Sequence, residues 1–203
     1  MADRVLVSAG EASGDTHAAA LIRAMTELNP ELQFYGLGGQ AMAQAGVELI
    51  ADASAVSVTG FAEVTPKMAR ILGVLRRLKR ALAEDRPAGF IAVDAPDLNL
   101  RLAKTAKGLG VPVIYYIPPQ TWAWRQSRVR LLKDRTDQLI VIFPFEPDFY
   151  RGHGLEAYYP GHPFADLEPI GDQENAAFLA GLGLEADRPV VGLLPRPAFR
   201  AHG

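Results

Sequence analysis

The chain is predicted to be an α/β protein, a Rossmann-like parallel sheet covered by helices, on three observations. Short β-branched runs alternate five times with stretches of helical spacing, no internal repeat interrupts the alternation, and polar residues suited to chemistry stand at successive strand tips. The central case is Gly89-Phe90-Ile91-Ala92-Val93, which ends on Asp94-Ala95-Pro96-Asp97 before a helical pattern. In an open parallel sheet, ligands sit outside the carboxyl ends of the strands, so acids placed there face a crevice.

Length and composition bound the rest. At 203 residues the chain holds one complete domain, expected over residues 1–168, a linker and helix over 169–188, and a strand over 189–203 that opens an incomplete second domain. The absence of cysteine excludes disulfides, thiolate nucleophiles and thiolate zinc sites. Met1-Ala2-Asp3-Arg4 runs directly into a strand, leaving no room for a signal peptide, and no apolar run approaches the ~18 residues of a membrane span. A cytoplasmic chain, soluble or peripheral to a membrane, is expected. A net charge of −2 argues against nucleic acid as a partner.

In chain order, the first strand, Val5–Ala9, ends on Gly10-Glu11-Ala12-Ser13-Gly14-Asp15, and a helix follows with Ala18, Leu21, Ile22, Met25 and Leu28 on one face. Such a loop suits phosphate or sugar, because amides at a helix N-terminus are free donors; it also suits a tight turn that only packs helix on strand. It lacks the P-loop and dinucleotide patterns. The second strand, Gln33–Leu37, ends on Gly38-Gly39, where a dinucleotide site would present an acid. A short helix near Gln40–Ala45 and a strand around Val47–Ala51 follow.

From Pro66 to Glu84 the apolar spacing is helical, and the remaining positions carry Lys67, Arg70, Arg76, Arg77, Lys79 and Arg80. This reads as a sheet-covering helix with a solvated cationic face. It also reads as a membrane-facing surface, with Val56, Val58 and Phe61 entering the interface beside cations that meet anionic head groups.

Asp94 leaves the central strand as either a general base or a turn-forming residue, while Asp97 stands at the expected N-cap of the next helix. The strand Val111–Ile117 leads to Trp122-Ala123-Trp124-Arg125, a sugar platform or a packed lid. A basic helix to Lys133 and a strand over Gln138–Phe143 follow, the latter ending on Pro144-Phe145-Glu146. Glu156–Tyr159 reads as a short strand before Gly161-His162-Pro163, Glu174–Leu182 as a helix, and Val190–Leu194 as a buried strand. None of His17, His153, His162 and His202 falls into metal-ligand spacing.

Taken together, Val7 to Asp15, Val93 to Asn99, Trp122 to Gln126, Phe143 to Glu146 and Gly161 to Pro163 resemble, in order and interval, the N-terminal half of the lipid-A-disaccharide synthase family, from residue 4 to about residue 195. The resemblance implies the N-terminal domain of a two-domain GT-B glycosyltransferase that inverts configuration and uses no metal or cofactor. It implies transfer from UDP-2,3-diacylglucosamine to 2,3-diacylglucosamine 1-phosphate at the cytoplasmic face of the inner membrane, with oligomeric state left open. Asp94 takes the place of the essential acid. Gly10, Glu11, Ser13, Gly14, Asp15, Asp97, Asn99, Trp122, Trp124, Arg125, Glu146 and His162 fall on the motifs expected to meet substrate.

The match departs after Pro195, where the family's Pro-Gly-Ser-Arg is replaced by Arg196-Pro197-Ala198. An inactive acceptor- or lipid-binding fragment and another UDP-sugar glycosyltransferase or epimerase are the competing readings. A strand over Val190–Leu194 without neighbours is expected to be disordered or to aggregate. Limited proteolysis is therefore expected to cut rapidly on the C-terminal side of about residue 170 and to leave a resistant core. Uniform resistance to the end would contradict it.

Overall fold

The computed structural model describes residues 3–56, 64–123, 126–166, 171–184 and 190–193, with the backbone alone described for 64–67. Two compact units result, Met1–Ala165 and Asp166–Gly203. The first unit holds six strands, β1 (Arg4–Ala9), β2 (Gln33–Gly38), β3 (Glu48–Asp52), β4 (Gly89–Val93), β5 (Val113–Tyr116) and β6 (Gln138–Ile140). They form one sheet in the order β3-β2-β1-β4-β5-β6, every pairing parallel.

Parallel neighbours require crossovers, and helices supply most of them. These are α1 (Ala12–Leu28), α2 (Gln40–Gln44), α3 (Val64–Asp85), α4 (Pro96–Gly108) and α5 (Arg128–Arg135), with α6 (Glu146–Gly152) after the last strand. Because side chains alternate along a strand, β1 serves both layers. Val5, Val7 and Ala9 pack with Ala18, Ala19 and Ile22 of α1, whereas Leu6 joins Val74, Leu75, Leu78 and Leu82 of α3 and Leu102 of α4. Helices thus cover both faces of the sheet.

The order in which strands are added reverses between β1 and β4, since β2 and β3 lie on one side and β5 and β6 on the other. A crevice opens at such a switch point, outside the strand ends. Asn99 of α4, wholly buried, pins it: Nδ2 donates to the carbonyls of Ser8 at 3.1 Å, Val93 at 3.0 Å and Asp94 at 2.8 Å. Asp15 makes the second tie. Its carboxylate accepts from the backbone N–H groups of Gly39, Ala41 and Met42 at 2.7, 2.9 and 3.2 Å, so α1 caps the start of α2.

Several expectations are corrected. Asp97 is not an N-cap: Asp94 and Ala95 turn left-handed, at φ of 49° and 43°, which puts Ala95 at the cap and Pro96 at the first helical position. The sixth strand stops at Ile140, and the strand expected over Glu156–Tyr159 is reduced to one bridge between Ile140 and Tyr158. Helix α6 went unread because Pro144 and Pro147 look like breakers, although proline is tolerated in a first helical turn. In the second unit, α7 (Asp172–Gly181) forms, but residues 190–193 lie in no strand and Val191 and Leu193 are 90% and 87% exposed. A strand needs a hydrogen-bonded neighbour, and the described residues of that unit offer none.

Close approach at the switch point restricts Gly10, at the end of β1. A β-carbon there would stand 2.8 Å from the Ala95 β-carbon. Gly10→Ala is expected to cost about 1–3 kcal/mol by overpacking. Adding Ala95→Gly should recover most of that loss, because it removes the clash and relieves a left-handed alanine. Urea denaturation of the two single variants and the double variant checks this.

Candidate functional site at the sheet switch point

Two carboxylates meet at the crevice. Asp94 leaves β4 half-buried in its left-handed turn, and Glu11, exposed, follows Gly10 at the N-cap of α1. A β-carbon at Gly14 would stand 3.5 Å from the Asp94 β-carbon, so the first turn of α1 lies directly against this acid. Tyr115 of β5, buried, donates its hydroxyl to the Asp94 carbonyl at 2.7 Å and braces the turn from the other side.

Burial pushes the Asp94 carboxyl above its ordinary range, opposed by a bond from the Ala95 amide and by the charge of His17. Glu11 is also raised, first by the like charge of Asp94 and then by partial loss of solvent around its carboxyl. The like charge of Asp94 disfavours ionising Glu11 as well, and an acid that burial holds partly protonated is suited to exchange a proton with a bound hydroxyl.

An open cleft of about 620 Å³ adjoins Glu11 and Ala95, the residue after Asp94. Glu11, Ser13, Asp97 and Arg101 supply its polar lining, and Val56, Met68, Ile71, Leu72 and Ala95 its apolar lining. Met68 and Leu72 of α3 remain 52% and 36% exposed. Along the same helix, Arg70, Arg76, Arg77 and Arg80 surround a second hollow of about 510 Å³. Val58, Phe61 and the side chain of Lys67 lie outside the described residues.

The structure sorts the sequence-predicted residues. Gly10, Glu11, Ser13, Gly14, Asp94 and Asp97 come together at the crevice, Asp97 also accepting from Arg128 Nη2 at 2.6 Å. Asp15, Asn99 and Glu146 do not present free side chains. Asp15 caps α2, Asn99 pins the strand ends, and Glu146, 2% exposed, accepts from the amides of Ile142 and Phe143 at 3.2 and 3.0 Å. Burial raises the Glu146 carboxyl, opposed by those amides and by the Trp122 indole, whose N–H approaches it without a hydrogen bond of standard geometry.

Trp122 is packed edge-on against Phe145 and Phe143, with centroids 5.0 and 6.2 Å away, which favours a packed lid over a sugar platform. Trp124 and Arg125 lie outside the described residues. His162 joins this aromatic group, 5.8 Å from Phe143 and 5.0 Å from Phe164. Sequence reasoning passed over His17, which has no metal-ligand spacing; its position three residues after Gly14 was the available signal.

The strand order and helical layers define a fold class, the Rossmann-like domain of the GT-B fold. Similar folds are seen in a UDP-bound UGT transferase from Siraitia grosvenorii, at a TM-score of 0.53 and 12% identity over 86% of this chain and 53% of that one. A Neisseria meningitidis UDP-GlcNAc 2-epimerase bound to UDP-GlcNAc gives 0.56 and 10% over 78% and 46%. Within that class the chain belongs to the lipid-A-disaccharide synthetase family, whose model matches residues 5–198.

Lipid-A-disaccharide synthases of Myxococcus xanthus (strain DK1622) and Anaeromyxobacter sp. (strain K) are 52% and 46% identical to it, over 95% and 96% of this chain and 50% of each relative. The chain thus spans about half the length of the curated relatives it matches.

The raised Asp94 carboxyl has a consequence for stability. Its folded pKa lies above the unfolded value, so folding favours the protonated acid and the ionised form carries a cost at neutral pH. Asp94→Asn, which also suits a left-handed residue, should be more stable than the parent at neutral pH. Its advantage should shrink as pH falls through the folded pKa and vanish below about 3.9, the unfolded value. Chemical denaturation across that range measures it, and a difference independent of pH would refute the assignment.

Proposed function

We propose that the chain is the acceptor-side half of a lipid-A-disaccharide synthase, an inverting hexosyltransferase that joins UDP-2,3-diacylglucosamine to 2,3-diacylglucosamine 1-phosphate. The observation that carries the reading is Asp94, half-buried at the switch point with its carboxyl raised and an open cleft beside it. Family membership supplies the reaction class.

In this reading, Asp94 accepts the proton of the acceptor 6-hydroxyl as that oxygen attacks the donor's anomeric carbon. The carbon–oxygen bond to UDP breaks, and its electron pair leaves with UDP. A carboxylate is a weak base, so most of the advantage lies in positioning and in late proton transfer. Glu11 and the free amides opening α1 hold the sugar, and the family resemblance implies no metal or other cofactor. The family resemblance implies that a second domain grips the donor nucleotide, and this chain spans half the length of its relatives.

Both substrates carry acyl chains, and the apolar wall formed by Val56, Met68, Ile71 and Leu72 suits them. The four arginines along α3 suit anionic head groups, each worth about 1 kcal/mol near such a surface. These features support a peripheral position on the cytoplasmic face of the inner membrane. Among the described residues no helix is long and apolar enough to cross one.

The test is a disaccharide synthase assay on the purified chain with acylated donor and acceptor, with and without EDTA, beside Asp94→Ala. Turnover that survives EDTA and falls about 10²- to 10⁴-fold in the variant supports the full reading. Equal turnover in both overturns Asp94 as base. If neither turns over, retained binding of the acceptor and of anionic vesicles leaves the acceptor-holding role alone. Loss of both binding and turnover sinks the proposal.

A further inference from the structure

The proposed reaction leaves a proton on Asp94, and a half-buried carboxyl must shed it before the next cycle. The neighbouring titratable group on α1 is His17. It lies three residues after Gly14, on the same helix face and one turn on. Gly14 is where α1 meets Asp94, its β-carbon position 3.5 Å from that of the acid. The half-buried imidazole of His17 packs on Phe164 with centroids 6.0 Å apart.

Phe164 also carries His162, 5.0 Å away. His162 is oriented in turn, its Nδ1 accepting from the Phe164 N–H at 3.1 Å and its ring meeting Phe143 at 5.8 Å. Two imidazoles therefore share one phenyl ring. Among the described residues, the titratable groups facing His17 are Asp94 and His162, and those facing Asp94 are His17, Glu11 and Tyr115.

We propose that His17 is a positioning residue for Asp94, orienting the carboxylate while it is ionised and then relaying to solvent the proton it collects. The role in turnover rests on the glycosyl-transfer reading above, whereas the coupling of the two groups does not. The step balances: the O–H bond formed on Asp94 breaks, an N–H bond forms on the imidazole, and the imidazolium returns its proton to water.

The electrostatics agree with this direction. Burial lifts Asp94 from an ordinary 3.8, while burial and His162 lower His17 from 6.5, so the two groups approach one another. A narrower gap between donor and acceptor favours proton transfer.

The decisive measurement is an NMR titration of the full chain, following the histidine ring nitrogens and the Asp94 carboxyl carbon. Asp94→Asn should lower the His17 midpoint, His162→Gln should raise it, and His17→Gln should raise the Asp94 midpoint. Linkage requires the Asp94→Asn and His17→Gln effects to be equal in size. A His17 that only packs against Phe164 would change stability without these reciprocal shifts.

An unmoved His17 midpoint in folded Asp94→Asn overturns the proposal; should that variant not fold, an unmoved Asp94 midpoint in His17→Gln does the same. Where synthesis is measurable, His17→Gln should lower kcat at least about tenfold with KM little changed. Added imidazole should restore the rate. Reciprocal shifts without synthesis would count against the glycosyl-transfer reading alone, and synthesis without shifts against the relay alone.

Discussion

The structure depends on the amide of Asn99. One buried side chain donates to carbonyls at the ends of β1 and β4, the two strands between which the strand order reverses. Carbonyls at a strand end have left the ladder, and buried without a partner each would cost about 1–3 kcal/mol. By answering them from the first turns of α4, Asn99 sets the helix, the turn before it and the Asp94 backbone in one arrangement. The Tyr115 hydroxyl, bonded to the same Asp94 carbonyl, closes the arrangement from β5.

That arrangement is strained as well as tight. Asp94 and Ala95 are consecutive non-glycine residues with positive φ, and Gly10 passes so near that a methyl group would not fit. A left-handed residue costs about 1–2 kcal/mol, a cost the surrounding bonds must offset. The result is an acid held at a strand tip, half out of water and within the field of Glu11 and His17. Its chemistry follows from position: the same residue on a solvated helix would be an ordinary ionised aspartate.

Charge and apolar surface divide along α3. Val74, Leu75, Leu78 and Leu82 are spent on the sheet, while Met68, Leu72 and four arginines are left outside. The exposed apolar end adjoins the cleft that reaches Glu11, and the arginines continue away from it along the helix. One amphipathic element thus serves the core and presents a mixed apolar and cationic surface beside the acids.

The alternation of β-branched runs and helical spacing determined the parallel α/β class and set the chain order of strands and helices, because buried faces impose their periods on the sequence. The motif set determined family membership, and the polar strand tips pointed to Asp94 and the Gly10–Gly14 loop. Only the tertiary structure decided which polar residues remain free. Asp15, Asn99 and Glu146 have side chains as suited to a ligand as those of Glu11 and Asp94, but the fold brings backbone amides and carbonyls to them that no sequence interval reveals. It also decided that Ala95 caps α4, that residues 190–193 form no strand, and that His17 belongs beside Asp94. Hydrogen-bond partners and electric fields belong to three-dimensional neighbours, and residues 17 and 94 become neighbours only when the sheet forms.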